Sequence, residues 1–316
     1  MATVDALAPA YEACTSGAGL VDRSEVGKLL LTGEQARAFL DGQVSNEIAA
    51  LEAGHGRYAA LLTNKGRMLG DLRVIAVDDD LLLLTERVAL QALFDQVRRG
   101  LIGWQAELQK RTLELALFSL VGPRAEEIAR SAGLPIPGPQ EHDVVARDAT
   151  AVVRTDLGLD VLPPADQAEA VRRALLDAGA VEAPEAAAEI VRVEHGRPRY
   201  GLDLDDTVMP AEAGIVDRAV SFTKGCYVGQ ETVARLHWKG KPNRHLRLLR
   251  LTAPATSGDV VVAEDRDVGR VGTAVVSPRL GPIALAVVRR EVAVGDRVLV
   301  GAGGIEAEVA DAAAGS

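Results

Sequence analysis

The chain has 316 residues, 48% of them hydrophobic, and a formal net charge of -10. That length suits one large domain or two to three smaller ones with ample core material, and the acidic balance argues against non-specific nucleic-acid binding by the whole surface. Two cysteines, Cys14 and Cys226, are too few for a secreted disulfide framework.

The first twenty residues carry Asp5 and Glu12 and no basic segment before an apolar core, so no signal peptide is expected. No apolar run approaches the roughly 20 residues that cross a bilayer. The expectation is a cytoplasmic protein without membrane contact. Thr32 and Gln35 have capping-box spacing, and apolar residues then run to Gly42, which predicts a helix. A hairpin is predicted in YAALLTNKGRMLGDLRVIAV around Asn64-Lys65-Gly66, continuing through a three-aspartate turn into another strand. A helix is predicted over 86–99, with Leu90, Leu93, Phe94 and Val97 on one face and Gly100 closing it. Pro123 at a first helical position and Gly133 at the end bracket the next. The Pro/Gly-rich 131–143 reads as a linker or a long loop between subdomains, and VVARDATAVVRTDLGLDVL as one more hairpin. Asp166 with Glu169 opens another helix, and Pro184 starts a fifth that stops at Gly196. After residue 244 short strands with Gly and Pro turns predict a small barrel or sandwich, so a boundary falls near 241–245. The tail ADAAAGS reads as frayed.

Three stretches carry chemistry. In KGCYVGQE, residues 224–231, Gly225 and Gly229 permit backbone geometries closed to other residues, and Lys224 lies two positions from Cys226. A nearby ammonium raises a thiol's thiolate fraction, which suits a nucleophile, metal ligand or redox group; a buried, inert cysteine in a glycine turn is the alternative. In VRVEHGRPRYGLDL, Glu194 lies in the last turn of a helix, where the macrodipole disfavours a carboxylate by a few tenths to about 1 kcal/mol. With Arg192, Arg197, Arg199 and Tyr200 it suits an anchor for a planar heterocycle, and a solvated surface Glu is the competing reading. Four of the ten aromatic residues, Tyr200, Phe222, Tyr227 and Trp238, fall in this neighbourhood and suit stacking on an aromatic ligand as well as core packing.

From Thr232 to Gly258 there is no acidic residue, while Arg235, Lys239, Lys241, Arg244, Arg247 and Arg250 are basic. The last three alternate as the solvent face of a strand; RLHWKGKPNR reads as a loop able to contact an anion such as a polyglutamate, a phosphate or an RNA backbone. Five scattered histidines give no HxxxH or HExxH, and no CxxC occurs, so no metal site is read. GxGxxG after a strand, GxxxxGK[ST] and GxSxG are absent too.

Taken together, these residues resemble the YgfZ branch of the GcvT-like folate-binding proteins. KGCYVGQE matches that branch's signature in full, within SFTKGCYVGQETVARLH; RVEHGRPRYGLDLDDTVMPAEAG resembles the wider family's folate-site segment, and LLTNKGRMLGDLRV and LTGEQARAFLDGQVSNEI its N-terminal segments. The resemblance implies an α+β cloverleaf of mixed, mainly antiparallel sheets with helices around a central tetrahydrofolate site. Residues 1–243 would form a folate-binding region of two discontinuous subdomains and 244–316 a C-terminal β-barrel. It further implies that Glu194 bonds the pterin, that Arg192, Tyr200, Asn64 and Asp71 help bind the cofactor, and that Cys226 and Lys224 act at the channel mouth. Gly225, Tyr227, Gly229, Gln230 and Glu231 would complete that loop, with Arg235, Lys239 and Lys241 as anion contacts, for instance for the folate's glutamate tail.

The role the resemblance implies is a folate-dependent accessory factor in assembly or repair of iron-sulfur proteins, including tRNA-thiolating enzymes. Its partners would be folate, iron-sulfur assembly or client proteins and, indirectly, tRNA. The rival is a folate-dependent aminomethyltransferase or demethylase acting on a small amine. The aminomethyltransferases of glycine cleavage carry two adjacent acids where this chain has Gly70-Asp71, and they lack the KGCYVGQE loop. Both departures weaken the transferase reading, and Asp71 keeps it open. An RNA-binding module using 235–250 is a third reading.

Overall fold

The hairpin read around Asn64-Lys65-Gly66 forms in the computed structural model, which describes residues 4–312: strands Gly56–Leu62 and Met68–Val77 pair antiparallel, with a register shift between Leu61 and Leu62. Asp80–Thr85 follows through the aspartate turn, and Gly27–Thr32 and Glu107–Lys110 complete a five-stranded sheet. Helices Ala36–Asp41 and Leu90–Gly100 cover it, burying Phe39, Leu40, Leu93 and Val97 against Leu29, Leu31 and Leu83. The first of these helices is shorter than its sequence signal, because Thr32 is the last residue of a strand and Gln35 caps the helix without a side-chain bond.

A six-stranded sheet, in the order Val181–Glu182, Gly19–Asp22, Phe118–Val121, Gly158–Leu162, Thr150–Thr155, Val144–Arg147, forms a second layer. The expected single hairpin is a three-stranded meander over 144–162 that forms one side of this sheet, with Val144–Arg147 at the edge. Helices Ala125–Ser131 and Ala168–Asp177 pack on it; the second starts beyond Asp166, and no side-chain bond caps it. The Pro/Gly-rich segment 131–143 is a loop of this layer, joining helix Ala125–Ser131 to strand Val144–Arg147, and no linker. The two sheets are joined by backbone hydrogen bonding, Val144 N–H donating to Gly54 O at 2.9 Å.

Arg244–Leu251, Gly281–Arg289, Arg266–Ser277, Val260–Ala263, Arg297–Val300 and Ile305–Asp311 close into a six-stranded barrel around Val261, Ala284, Val288 and Val309. The fold is thus mixed α+β with a C-terminal β-barrel. Of the tail read as frayed, Ala310 and Asp311 belong to the last strand, and 313–316 lie outside the described residues. Helix Glu185–Glu194, with extended Pro184 as its N-cap, sits where the N-terminal helix Val4–Ser16 and the barrel meet. His195 caps its end, and Gly196 follows, where φ is 63 and a Cβ would come within 1.7 Å of Ala312 O. Three further helices have no counterpart among the predicted elements: Val4–Ser16, which contains Pro9, the short Val216–Ala219, and Gln230–Lys239, which runs into the stretch with a loop signal. Among the described residues no helix is long and apolar enough to cross a membrane.

Candidate functional site

Between the two open sheets lies a cavity of about 220 Å³ whose walls include Tyr58, Asp71, His142, Arg192, Tyr200 and Arg218. Strand register builds its centre. Tyr58 stands opposite Arg73 and Ala60 opposite Asp71, so Tyr58, Asp71 and Arg73 share one face of the hairpin. The Tyr58 hydroxyl donates to Asp71 Oδ2 at 2.6 Å. Burial pushes the Asp71 carboxyl up to about 6, against the opposing pull of the Tyr58 bond. Burial and then the Asp71 charge hold the Tyr58 phenol well above its ordinary range, so it stays a donor. From the facing sheet, Asp160 accepts from Ser119 Oγ at 2.5 Å and pairs with Arg73 at 2.5 Å. Burial opposes its ionisation, but Arg73 and the Ser119 bond outweigh burial and keep it ionised.

Among the described residues, three buried polar atoms of this wall have no hydrogen-bond partner: His142 Nδ1 and Nε2, and Arg218 Nε. Buried polar groups are nearly always met, so this set suits a ligand with several hydrogen-bonding atoms on a planar frame. Tyr200 adds an aromatic wall; burial, then Asp206, Asp205 and Asp71, push its phenol up to about 12.

Glu194 lies elsewhere. It is 1% exposed and lines a second, larger cavity of about 830 Å³, together with Tyr11, Cys14, His195 and Arg279. Its Oε1 accepts from the Tyr11 hydroxyl at 2.9 Å and from Ser277 Oγ, and Oε2 meets Arg279 Nη2 at 3.2 Å. The N-terminal helix, the end of helix Glu185–Glu194 and the barrel thus converge on one carboxylate. Burial pushes the neighbouring Cys14 thiol up to about 11, which makes it a packing residue. The two cavities share Thr155, Asp156 and Leu157 as a common wall.

Arg192 borders the central cavity, but its guanidinium is fully engaged. It donates to both oxygens of Glu189, to Asp203 Oδ2 at 2.7 Å, to Thr273 Oγ1 at 2.7 Å and to Arg197 O. It ties its helix to the segment that follows and to the barrel, and shapes the cavity by holding that junction.

The 224–231 loop stands apart from both cavities. Cys226 is exposed. Lys224 Nζ donates to Asp41 O, to Val44 O at 3.1 Å and to Asn46 O at 2.7 Å, and pairs with Asp41 Oδ1 at 3.0 Å. The thiol is not among these partners. The ammonium anchors the loop on segment 41–46, in place of the direct thiol contact that sequence spacing suggested. Tyr227 packs beneath in the core, Gln230 Nε2 reaches back to Gly225 O at 3.5 Å, and Glu231 pairs with Arg235 at 2.6 Å. Gly229, at φ 85, presses on the 63–66 turn: a Cβ there would lie 2.6 Å from Thr63 O and 3.3 Å from Gly66 Cα. The structure therefore brings LLTNKGR and KGCYVGQE together, and exposed Asn64 belongs with the thiol loop, lining neither cavity. Lys239, the last residue of helix Gln230–Lys239, and Lys241 beyond it are exposed; in the same helix Trp238 is 70% exposed and His237 stacks on Phe222 with centroids 3.9 Å apart. Arg235, Lys239 and Lys241 line neither cavity.

Sequence reading missed Tyr11, Tyr58, His142, Asp160, Arg218, Ser277 and Arg279. Only the Tyr58–Asp71 pair had a local signal, the diagonal relation across a hairpin once its turn is fixed; the others meet across 41 to 183 residues of chain.

The GCVT N-terminal domain family matches residues 3–224, and the glycine cleavage T-protein C-terminal barrel domain matches residues 244–313. An aminomethyltransferase of Mycobacterium leprae is 27% identical over an alignment of 317 residues, covering 95% of this chain and 86% of that protein. An aminomethyltransferase of Geobacillus kaustophilus is 28% identical over 300 residues, 90% of this chain and 82% of its own length. A protein of Arabidopsis thaliana named a putative chloroplastic transferase is 26% identical over 272 residues, 83% of this chain; the match spans 63% of that protein, under two thirds of its length. The crystal structure of the glycine cleavage system aminomethyltransferase T from Bartonella henselae superposes with a TM-score of 0.89 over 96% of this chain and 88% of its own, at 23% identity, and so shares the fold. With both parts of its length matched in order, the chain belongs to the GcvT family: a GCVT N-terminal domain followed by a glycine cleavage T-protein C-terminal barrel.

Proposed function

We propose that the protein binds tetrahydrofolate or a derivative in the paired cavities, and that the central cavity suits one-carbon transfer of the kind its aminomethyltransferase relatives are named for. The observation that carries this reading is Asp71, a buried carboxyl lifted to about 6 and gripped through one oxygen by Tyr58, on a wall that also carries the unmet nitrogens of His142 and Arg218. Bound tetrahydrofolate would supply the nitrogen that carries the one-carbon unit. Tyr58 fixes Asp71 Oδ2, and Asp71 is poised to take or return a proton close to neutral pH. Glu194 offers Oε2, met by Arg279, to N–H donors in the outer cavity. The test is a calorimetric titration of tetrahydrofolate into the wild type, Glu194→Ala and Asp71→Asn. Glu194→Ala should weaken binding at least about tenfold, as loss of a charged hydrogen-bond acceptor does. Asp71→Asn should bind within about threefold of wild type while losing turnover of an aminomethyl donor. A wild type that binds no folate refutes the reading.

A second reading rests on the 224–231 loop. Cys226 is exposed on a loop that carries the YgfZ-branch signature and that Lys224 fastens to segment 41–46. In that reading the protein is a cytoplasmic folate-binding factor that assists assembly or repair of iron-sulfur proteins, tRNA-thiolating enzymes among them. A lone thiolate cannot hold a cluster, so a partner protein would share any such contact. Cys226→Ala should leave folate affinity unchanged and lower the activity of aconitase-like or tRNA-thiolating enzymes in cells. Full activity of those enzymes, with steady aminomethyl turnover by purified Cys226→Ala, removes the accessory role and leaves the transferase.

A further inference from the structure

His142 combines three features that core packing does not explain. Its backbone is left-handed, with φ 72, a conformation disfavoured for residues bearing a Cβ. It is 6% exposed, yet neither ring nitrogen has a protein partner, and Glu141 Oε1 lies 3.6 Å from Nε2, beyond hydrogen-bond reach. And it stands on the wall of the central cavity with Asp71 and Tyr58.

The surroundings hold this arrangement in place. His142 N–H donates to Arg154 O at 2.9 Å, and Asp143 takes both His55 Nδ1 at 2.7 Å and Gln140 N–H at 2.9 Å. Gly56 makes room: a Cβ there would lie 2.8 Å from both His142 Cβ and His142 O. Burial, then the charges of Arg73 and Arg218, push the imidazole down to about 3, with Asp156 and Asp160 pulling weakly the other way. At working pH the ring is neutral, with one N–H donor and one bare acceptor. Such a ring can accept from a heterocycle N–H or donate to a heterocycle C=O or ring nitrogen, and it offers no charge to a carboxylate. This favours the pterin head over the glutamate tail.

We propose that His142 is a specificity-determining residue of the central cavity, hydrogen-bonding the heterocyclic head of bound tetrahydrofolate through its neutral ring. The proposal rests on the folate reading above. Its test uses the full chain labelled with ¹⁵N-histidine, titrated with tetrahydrofolate by NMR, and calorimetry on the wild type and His142→Asn. Asparagine shortens the side chain and tolerates the left-handed backbone better than other residues, and the missing signal assigns His142 among the five histidines. Expected are a shift of the His142 ring nitrogens on saturation and binding weakened at least about tenfold in His142→Asn, with its melting temperature close to wild type. Wild-type binding with an unmoved His142 signal, and a variant within about twofold of wild type, would overturn the assignment while leaving the folate reading intact. No folate binding by the wild type overturns both. If His142→Asn does not fold, replacing His55, His195, His237 and His245 one at a time assigns the remaining signal to His142, and its shift on saturation then decides.

Discussion

At Asp71 the native state binds more protons than the unfolded chain between pH 3.8 and about 6, since burial lifts the carboxyl over that interval. The associated stability is present at low pH and lost as pH rises through this window. Asp71→Asn should therefore stabilise the fold at pH 7.5 by up to about 3 kcal/mol, at about 1.4 kcal/mol per pKa unit, and by almost nothing at pH 4. Denaturant melts at the two pH values measure this; equal shifts at both would show that the carboxyl is not strained by burial. His142 has the opposite sign, its depressed pKa stabilising the fold above pH 6.5 and losing that effect towards 3. It titrates in both proteins and so cancels from the difference. A site that weakens its own fold at working pH is a common mark of function.

At the scale of elements, local signals and tertiary contacts competed. The hairpin around Gly66, the helix face of Leu90, Leu93 and Val97, and the short strands after 244 were legible because their periodicity and turn residues agree with their final packing. Helix Gln230–Lys239 was not, since Lys239, Gly240, Lys241 and Pro242 at and beyond its end carry a loop signal; its start is set by Gly229 seated on the 63–66 turn. Gly229→Ala places a side chain at φ 85 and within 2.6 Å of Thr63 O. It should destabilise the protein by about 2 kcal/mol or more and speed proteolytic cutting in 225–231, read by thermal melting and limited proteolysis. An unchanged melt and cutting pattern would show that the loop does not depend on this contact.

Over the whole molecule, motif segments far apart in sequence settle into three places, and the sequence alone could not assign them. Asp71 and Tyr200 reach the central cavity, Glu194 the outer one, while Asn64 and Cys226 gather at the surface. The partners that decide this, Tyr11 for Glu194 and Asp160 for Arg73, come from segments with no motif of their own. The dividing wall comes from 155–157, at the turn between strands Thr150–Thr155 and Gly158–Leu162. Its turn is held by Asp156, which accepts from Arg197 at 2.7 Å and lies 3.9 Å from Arg218, itself a residue of the central cavity. Two chambers divided by one thin septum are not independent rooms. A guest entering either leans on the same three residues, so what fills one chamber is felt at the wall of the other.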